Sequence, residues 1–131
     1  VADQIIQTCG AFRYTTALAP TLAAGALKSL EKIKINKTWG RDLIRASKEW
    51  KDEISKINKY AIKGDCQILS IIIGDEDQTM LLQKYLEDHG FLAIGIRPPT
   101  VPNGQSRIRI TIRRTLNKKI LKEFILALKN F

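Results

Sequence analysis

The chain is poor in the residues that build metal, redox and membrane sites. Its 131 residues include one histidine, one methionine and two cysteines. Cys9 and Cys66 lie far apart and show no Cys-x-x-Cys or zinc-ligand spacing, which predicts two buried, reduced thiols and no metal site. No run of about 18 apolar residues occurs, so the sequence predicts no membrane-spanning helix. The first residues lack the basic start and apolar stretch of a signal peptide, and we expect a cytoplasmic protein.

The charge is strongly positive but is not gathered in one place. Lys and Arg number 22 against 13 Asp and Glu, a net charge of +9, while 44% of the residues are hydrophobic. This balance is typical of a globular domain. The lysines are spread along helical stretches without a basic and aromatic stacking motif, so we expect no nucleic-acid partner. Two interpretations of the charge remain: a solvated lysine-rich surface, or a basic rim that attracts an anionic coenzyme or an acidic carrier protein.

The first half of the chain reads as a helical arm. Pro20 suits the first turn of a helix whose apolar residues recur at helical spacing. A second helix is predicted from about Lys37 to Ile62 and is closed by Gly64. Its apolar stripe steps by three and four residues and comprises Trp39, Leu43, Ala46, Trp50, Ile54, Ile57 and Ala61. We therefore assign residues 1–62 to an interface segment and a helical arm.

Residues 63–131 read as a small C-terminal α/β domain. An apolar strand over 67–73 precedes a helix that Asp75 or Asp77 can cap and that Gly90 ends. Strands are predicted over 91–96 and 107–112, and a last helix over 117–131. The order is β-α-β-β-α, an α+β module. Along 107–112 isoleucines alternate with arginine and threonine, which predicts helices on one face of the sheet and an arginine-bearing face opposite.

Arg97 is the first candidate for binding. Pro98 and Pro99 fix φ twice and bias Arg97 away from the helical region, which gives the guanidinium a preset direction. A guanidinium presented in this way suits bidentate binding of a carboxylate or phosphate. His89 lies between Asp88 and Gly90 without convergent partners, so the sequence predicts a helix-capping role for it rather than a catalytic one.

Two segments of the chain carry a family resemblance. Residues 96–111 read Ile-Arg-Pro-Pro-Thr-Val-Pro-Asn-Gly-Gln-Ser-Arg-Ile-Arg-Ile-Thr, and residues 12–20 read Phe-Arg-Tyr-Thr-Thr-Ala-Leu-Ala-Pro before an alanine-rich helix. Together they resemble the 8-amino-7-oxononanoate synthases, α-oxoamine synthases of biotin biosynthesis that use pyridoxal phosphate. Ala19 departs from the pattern, because these enzymes usually carry a second proline there.

The resemblance implies the fold and the reaction. It implies the small C-terminal domain of a fold-type-I pyridoxal-phosphate transferase, in a complete enzyme that is a homodimer. That enzyme would condense L-alanine with a pimeloyl thioester, carried on coenzyme A or on a carrier protein, to give 8-amino-7-oxononanoate and carbon dioxide. The family's Schiff-base lysine precedes Thr15, and this chain starts after that point. We therefore expect no catalytic residue here, no covalent attachment of pyridoxal phosphate and no activity of the chain alone.

The resemblance also implies roles for particular residues. Arg97 would bind the α-carboxylate of alanine, Thr100 would contact the substrate, and Arg109 would support the carboxylate site. Thr15 and Thr16 match the pair that reaches the phosphate of the partner subunit's cofactor. For Thr100, stabilisation of the turn by its hydroxyl is a close competitor.

Other functions fit parts of the pattern. Another α-oxoamine synthase, of the 2-amino-3-ketobutyrate ligase or 5-aminolevulinate synthase type, would share the fold. We expect those glycine-using enzymes to differ at Arg97-Pro98-Pro99, which favours the alanine enzyme. From a different class, a non-catalytic basic module could bind an anionic ligand or RNA through Arg97, Arg107 and Arg109.

Overall fold

The computed structural model describes residue 4, residue 8 and residues 19–131, which form parts of two compact units, residues 1–37 and 38–131. In the first unit, helix α1 spans Pro20–Ile35 and begins with proline, as expected. None of the α1 residues is buried. Its large apolar side chains are all exposed: Leu22, Leu27, Leu30, Ile33 and Ile35.

The second unit contains the sheet and three helices. Its elements are α2 (Trp39–Ser55), β1 (Ala61–Lys63), β2 (Ile68–Gly74), α3 (Glu76–Asp88), β3 (Ile94–Ile96), β4 (Ser106–Thr111) and α4 (Lys118–Asn130). The strand order is β1-β2-β4-β3, and every neighbouring pair is antiparallel. The β-α-β-β-α module expected from the sequence is confirmed, with β1 added in front of it.

The helix predicted over 37–62 is wrong in its last part. Helix α2 ends at Ser55, and Asn58 has a left-handed φ of 56° that turns the chain. Ala61–Lys63 then forms β1, antiparallel to β2. Ile57 still packs against the core, so it continues the helical spacing without being helical. Gly64, with φ of 122°, follows this strand and does not close a helix.

Helix α2 belongs to the same compact unit as the sheet. Its Trp50 and Ile54 are buried in the common core, and Trp50 lies 5.4 Å from Phe124 of α4, between ring centroids. The division expected between residues 62 and 63 concerns the connection to the rest of a longer enzyme, and it stays a prediction.

The core lies between one face of the sheet and the helices. Leu69 pairs with Ile110, and Ile71 pairs with Ile108, so these four buried side chains share that face. Against them pack buried residues of all three helices, among them Ile54, Leu82, Leu86, Phe124 and Leu128. The alternation predicted for β4 is confirmed, because its isoleucines are buried while Arg109 and Thr111 are exposed.

Two smaller expectations have different outcomes. Cys66 is a free thiol, as predicted, but it is exposed rather than buried because it lies in the turn between β1 and β2. Cys9 lies outside the described residues. In the part of the chain that the structure describes, no helix is long and apolar enough to cross a membrane.

Candidate functional site

Arg97 directly follows β3 and begins a tight turn. The backbone N–H of Thr100 donates a hydrogen bond to the carbonyl oxygen of Arg97 over 3.0 Å. Between them the Pro98–Pro99 peptide bond is cis. The Arg97 side chain is 55% exposed, so its guanidinium remains accessible to a ligand. Arg97 therefore begins a proline-containing turn and has an accessible side chain.

Close packing of β3 against α3 fixes where Arg97 lies. The N–H of Gly95 donates to Oε1 of Gln83 over 2.7 Å. A β-carbon at Gly95 would lie 2.9 Å from that oxygen and 3.2 Å from Sδ of Met80. Glycine therefore permits this approach of helix and strand, which brings the end of β3 beside the first turn of α3.

The first turn of α3 supplies a carboxylate to Arg97. Nη1 of Arg97 donates to Oε1 of Glu76 over 2.6 Å, and the Glu76 side chain is 43% exposed. The helix itself is capped by its neighbour Asp75, whose Oδ1 accepts from the N–H of Gln78. The sequence predicts Asp75 or Asp77 as the cap of α3 and does not single out Glu76. In the sequence Glu76 is only an acidic residue directly after the helix cap. That position does not indicate a partner 21 residues away.

A cleft of about 450 Å³ opens beside this ion pair. It is lined by Gly74, Asp75, Glu76, Pro98, Asn103, Gly104 and Ser106. The Oγ of Ser106 is buried, and within the described residues it has no hydrogen-bond partner. The polar groups lining this cleft come from Asp75, Glu76, Asn103 and Ser106.

The structure does not bring all the candidate residues together. Thr100 is exposed in the turn after Arg97. Arg109 is exposed in β4 opposite Ile94 and lines a separate groove of about 610 Å³, which shares no residue with the cleft at Glu76. The support that Arg109 was expected to give the carboxylate site thus stays a prediction.

Arg107 makes hydrogen bonds to a neighbouring residue of its own strand end. Its Nε donates to the carbonyl oxygen of Gln105 over 3.0 Å, and its Nη2 donates to Oε1 of the same residue over 3.3 Å. Both bonds are to a residue two positions away, which makes Arg107 a useful comparison for Arg97.

His89 is the C-cap of α3, as the sequence predicts. Its Nδ1 lies 2.7 Å from the carbonyl oxygen of Tyr85, which can only accept, so the Nδ1–H tautomer makes this bond. The N–H groups of Gly90 and Phe91 bond the carbonyls of Glu87 and Leu86, which completes a Schellman ending. Across the described residues, no three potential metal ligands converge.

No lysine is buried in the described structure. Every lysine lies among the described residues, and all are exposed except Lys51, which is half-buried. Lys51 donates to the carbonyl oxygen of Gly64 and to Asp65, lowering the pKa of that carboxyl. The hydrogen bond to Asp88 raises the pKa of Lys84. An imine forms from a neutral lysine, and burial is the usual means by which a protein favours that form. Thr15 and Thr16 lie outside the described residues.

Comparison with curated proteins gives consistent relatives. An 8-amino-7-oxononanoate synthase of Pseudomonas putida strain GB-1 is 34% identical over 111 residues, which cover 84% of this chain and 28% of the relative. The same enzyme of Alkalilimnicola ehrlichii is 31% identical with the same coverage. That of Pseudomonas savastanoi pv. phaseolicola is 30% identical over 97% of this chain and 32% of its own length. The chain therefore spans about a third or less of these relatives.

Solved structures share the fold at low identity. A serine palmitoyltransferase of Sphingomonas wittichii superposes with a TM-score of 0.83 at 18% identity, over 98% of this chain and 33% of its own. A serine palmitoyltransferase from S. paucimobilis, with bound PLP-myriocin aldimine, superposes with a TM-score of 0.84 at 18% identity and with the same coverage. The expected fold class is thus confirmed.

The family assignment rests on the extent of the sequence match. The aminotransferase class I and II family matches residues 1–128. The resemblance to 8-amino-7-oxononanoate synthases, based on two motifs, is confirmed by relatives at 30–34% identity. Since the family match covers nearly all 131 residues, the chain belongs to the aminotransferase class I and II family.

Proposed function

We propose that this chain is part of an 8-amino-7-oxononanoate synthase and carries the site that binds the carboxylate of L-alanine. The complete enzyme would join alanine to a pimeloyl thioester and release carbon dioxide and the thiol carrier. The single observation that carries the proposal is the placement of Arg97, which is accessible and directed by a turn and by close packing of β3 on α3.

The chemistry assigned to Arg97 is binding and orientation. Among the described residues the only hydrogen bond of its guanidinium is through Nη1, so Nε and Nη2 are open to a ligand. A carboxylate held by two parallel N–H···O bonds cannot rotate freely, and this fixes the bonds around the neighbouring carbon of the amino acid. Thr100 would complete the substrate contact from the same turn, and Arg109 would support it.

The rest of the proposed enzyme is supplied by other parts. We place pyridoxal phosphate outside the described residues, with Thr15 and Thr16 reaching its phosphate across a homodimer interface. Residues 1–62 would form the interface segment and arm, and residues 63–131 the small domain. The acyl donor would be a pimeloyl group on coenzyme A or on an acidic carrier protein, towards which the net charge of +9 is favourable.

Within the family, a glycine-using α-oxoamine synthase is the competing proposal. The Arg97-Pro98-Pro99 sequence favours alanine, because the 8-amino-7-oxononanoate synthases carry the pattern that it resembles. Family membership favours either enzyme over a basic module that binds RNA.

The decisive substitution is Arg97→Lys in a complete enzyme that contains this chain. Lysine keeps the charge but replaces the planar fork with a point charge, so the KM for alanine should rise at least about tenfold. The KM for the pimeloyl thioester should change little. Arg107→Lys is the matched control, since the Arg107 side chain bonds only Gln105 among the described residues and its replacement should leave both constants near their wild-type values.

Two results would contradict the proposal. Equal weakening towards both substrates would indicate a structural role for the loop that follows β3. An unchanged KM for alanine would show that Arg97 does not bind the carboxylate.

A further inference from the structure

The contact between Glu76 and Arg97 has a one-sided geometry. Only Nη1 of the guanidinium meets the carboxylate, over 2.6 Å, and within the described residues no second hydrogen bond joins the two side chains. Glu76 is the first residue of α3, and Arg97 is the first residue after β3. The ion pair therefore links the start of a helix to the end of a strand.

This geometry leaves one complete edge of the guanidinium open. A carboxylate can bind an arginine side-on through Nε and Nη2, and neither atom makes a hydrogen bond within the described residues. Glu76 contacts the remaining nitrogen, Nη1, which is not part of that edge. A carboxylate on Nη1 and a second one on the Nε–Nη2 edge can thus be held together.

We propose that Glu76 is a positioning residue that holds Nη1 of Arg97 and directs the Nε–Nη2 edge towards the substrate carboxylate. This inference rests on the proposed role of Arg97. Glu76 does not touch the substrate. It restricts the rotation of a long, half-exposed side chain, which lowers the conformational entropy lost on binding.

The opposite role would be competition, in which the substrate must displace Glu76. The open edge favours positioning, because displacement is required only if the two carboxylates need the same donors. Capping of α3 is also not the task of Glu76, since Asp75 performs it. The contact with Arg97 is the one hydrogen bond of the Glu76 side chain in the described structure.

The chain offers a matched control in the same helical turn. Asp77 is also acidic, exposed and in the first turn of α3, but within the described structure it has no hydrogen bond or ion pair with Arg97. Asp77→Ala removes the same charge from the helix N-terminus as Glu76→Ala does. The difference between the two variants isolates the contact with Arg97.

The test compares Glu76→Ala, Glu76→Gln, Asp77→Ala and Arg97→Lys in the complete enzyme. An exposed ion pair is weak, so Glu76→Ala should raise the KM for alanine about twofold to fivefold. The pimeloyl KM and kcat should stay within error, and Asp77→Ala should match wild type. Glu76→Gln keeps an acceptor oxygen, so it should raise the KM for the substrate alanine less than Glu76→Ala does.

A second readout uses this chain labelled with ¹⁵N. The Nε–Hε signal of Arg97 should be distinct in the wild type and in Asp77→Ala, and should move to the position of freely rotating arginines in Glu76→Ala. If the complete enzyme carrying Glu76→Ala fails to fold, Glu76→Gln is assayed in its place, and the Nε–Hε signal of Arg97 still tests the contact.

The outcomes separate the two proposals. If Glu76→Ala behaves like Asp77→Ala in both readouts, or lowers the KM for alanine, the positioning role is wrong while the role of Arg97 stands. If Arg97→Lys leaves the KM for alanine unchanged, the proposed function itself fails and the positioning role fails with it.

Discussion

At the scale of single residues, the sequence predicts chemistry better than partners. Arg97 could be chosen because prolines restrict its backbone, and the structure shows the expected accessible guanidinium. Glu76 could not be chosen, because its partner is distant in sequence and depends on how β3 packs against α3. The same holds for Ser106, a buried hydroxyl whose lack of a partner within the described residues appears only in the folded chain.

Two buried serines give a residue-scale prediction. The Ser47 hydroxyl donates to the carbonyl oxygen of Cys66, so Ser47→Ala should lower the free energy of unfolding by about 1 kcal/mol. Ser106→Ala removes a hydroxyl that is unpaired within the described residues and should leave the free energy of unfolding unchanged or raise it. Urea unfolding of the two variants measures both values. A large loss at Ser106 would show that its hydroxyl has a partner.

At the scale of elements, strong patterns and capping residues were predictive. Helix α3 is capped by Asp75 and ends before Gly90, as expected, and the isoleucines of β4 lie on the buried face. The first strand was missed because Ile57 happens to continue the helical spacing of α2. A three-residue strand is too short to show an alternating pattern, and only its pairing with β2 defines it.

Gly64 provides the prediction at this scale. Its φ is 122°, and a β-carbon there would clash with the backbone carbonyl oxygen of Ile68. Gly64→Ala should therefore lower the free energy of unfolding by about 1–3 kcal/mol, as measured by urea unfolding.

The matched control for Gly64 is a glycine in a helix. Gly40 lies in α2, and a β-carbon added there would have no atom within 4 Å. Gly40→Ala should leave the free energy of unfolding unchanged or raise it by up to about 1 kcal/mol. If the two substitutions change the free energy of unfolding equally, the backbone conformation and close packing at Gly64 do not require glycine.

At the scale of the whole molecule, we propose that the chain supplies the substrate-binding part of a larger enzyme. It spans 28–32% of the curated relatives, and its lysines are exposed or already paired. The fold of residues 63–131 was largely predictable from local patterns. The grouping of α2 with the sheet was not, because it depends on the burial of Trp50 and Ile54 among residues distant in sequence.

We predict that the chain alone will not form an imine with pyridoxal phosphate. An imine forms from a neutral lysine, a form that burial favours, and no lysine of the described structure is buried. Incubation, borohydride reduction and mass spectrometry should find only sparse labelling spread over several lysines. Stoichiometric modification of one lysine, with an imine absorption band, would refute this expectation.

The amino-acid preference of the enzyme tests the proposal that this chain serves an alanine-using synthase. The measurement is kcat/KM for L-alanine and for glycine, with pimeloyl-CoA as acyl donor. It is made in a complete enzyme that contains this chain, either its own longer polypeptide or a chimera with the upstream part of the Pseudomonas putida relative. A recognised methyl group is worth roughly tenfold or more in specificity. We predict that alanine is preferred by at least that factor, with 8-amino-7-oxononanoate as product; a preference for glycine would show that the proposed use of alanine is wrong.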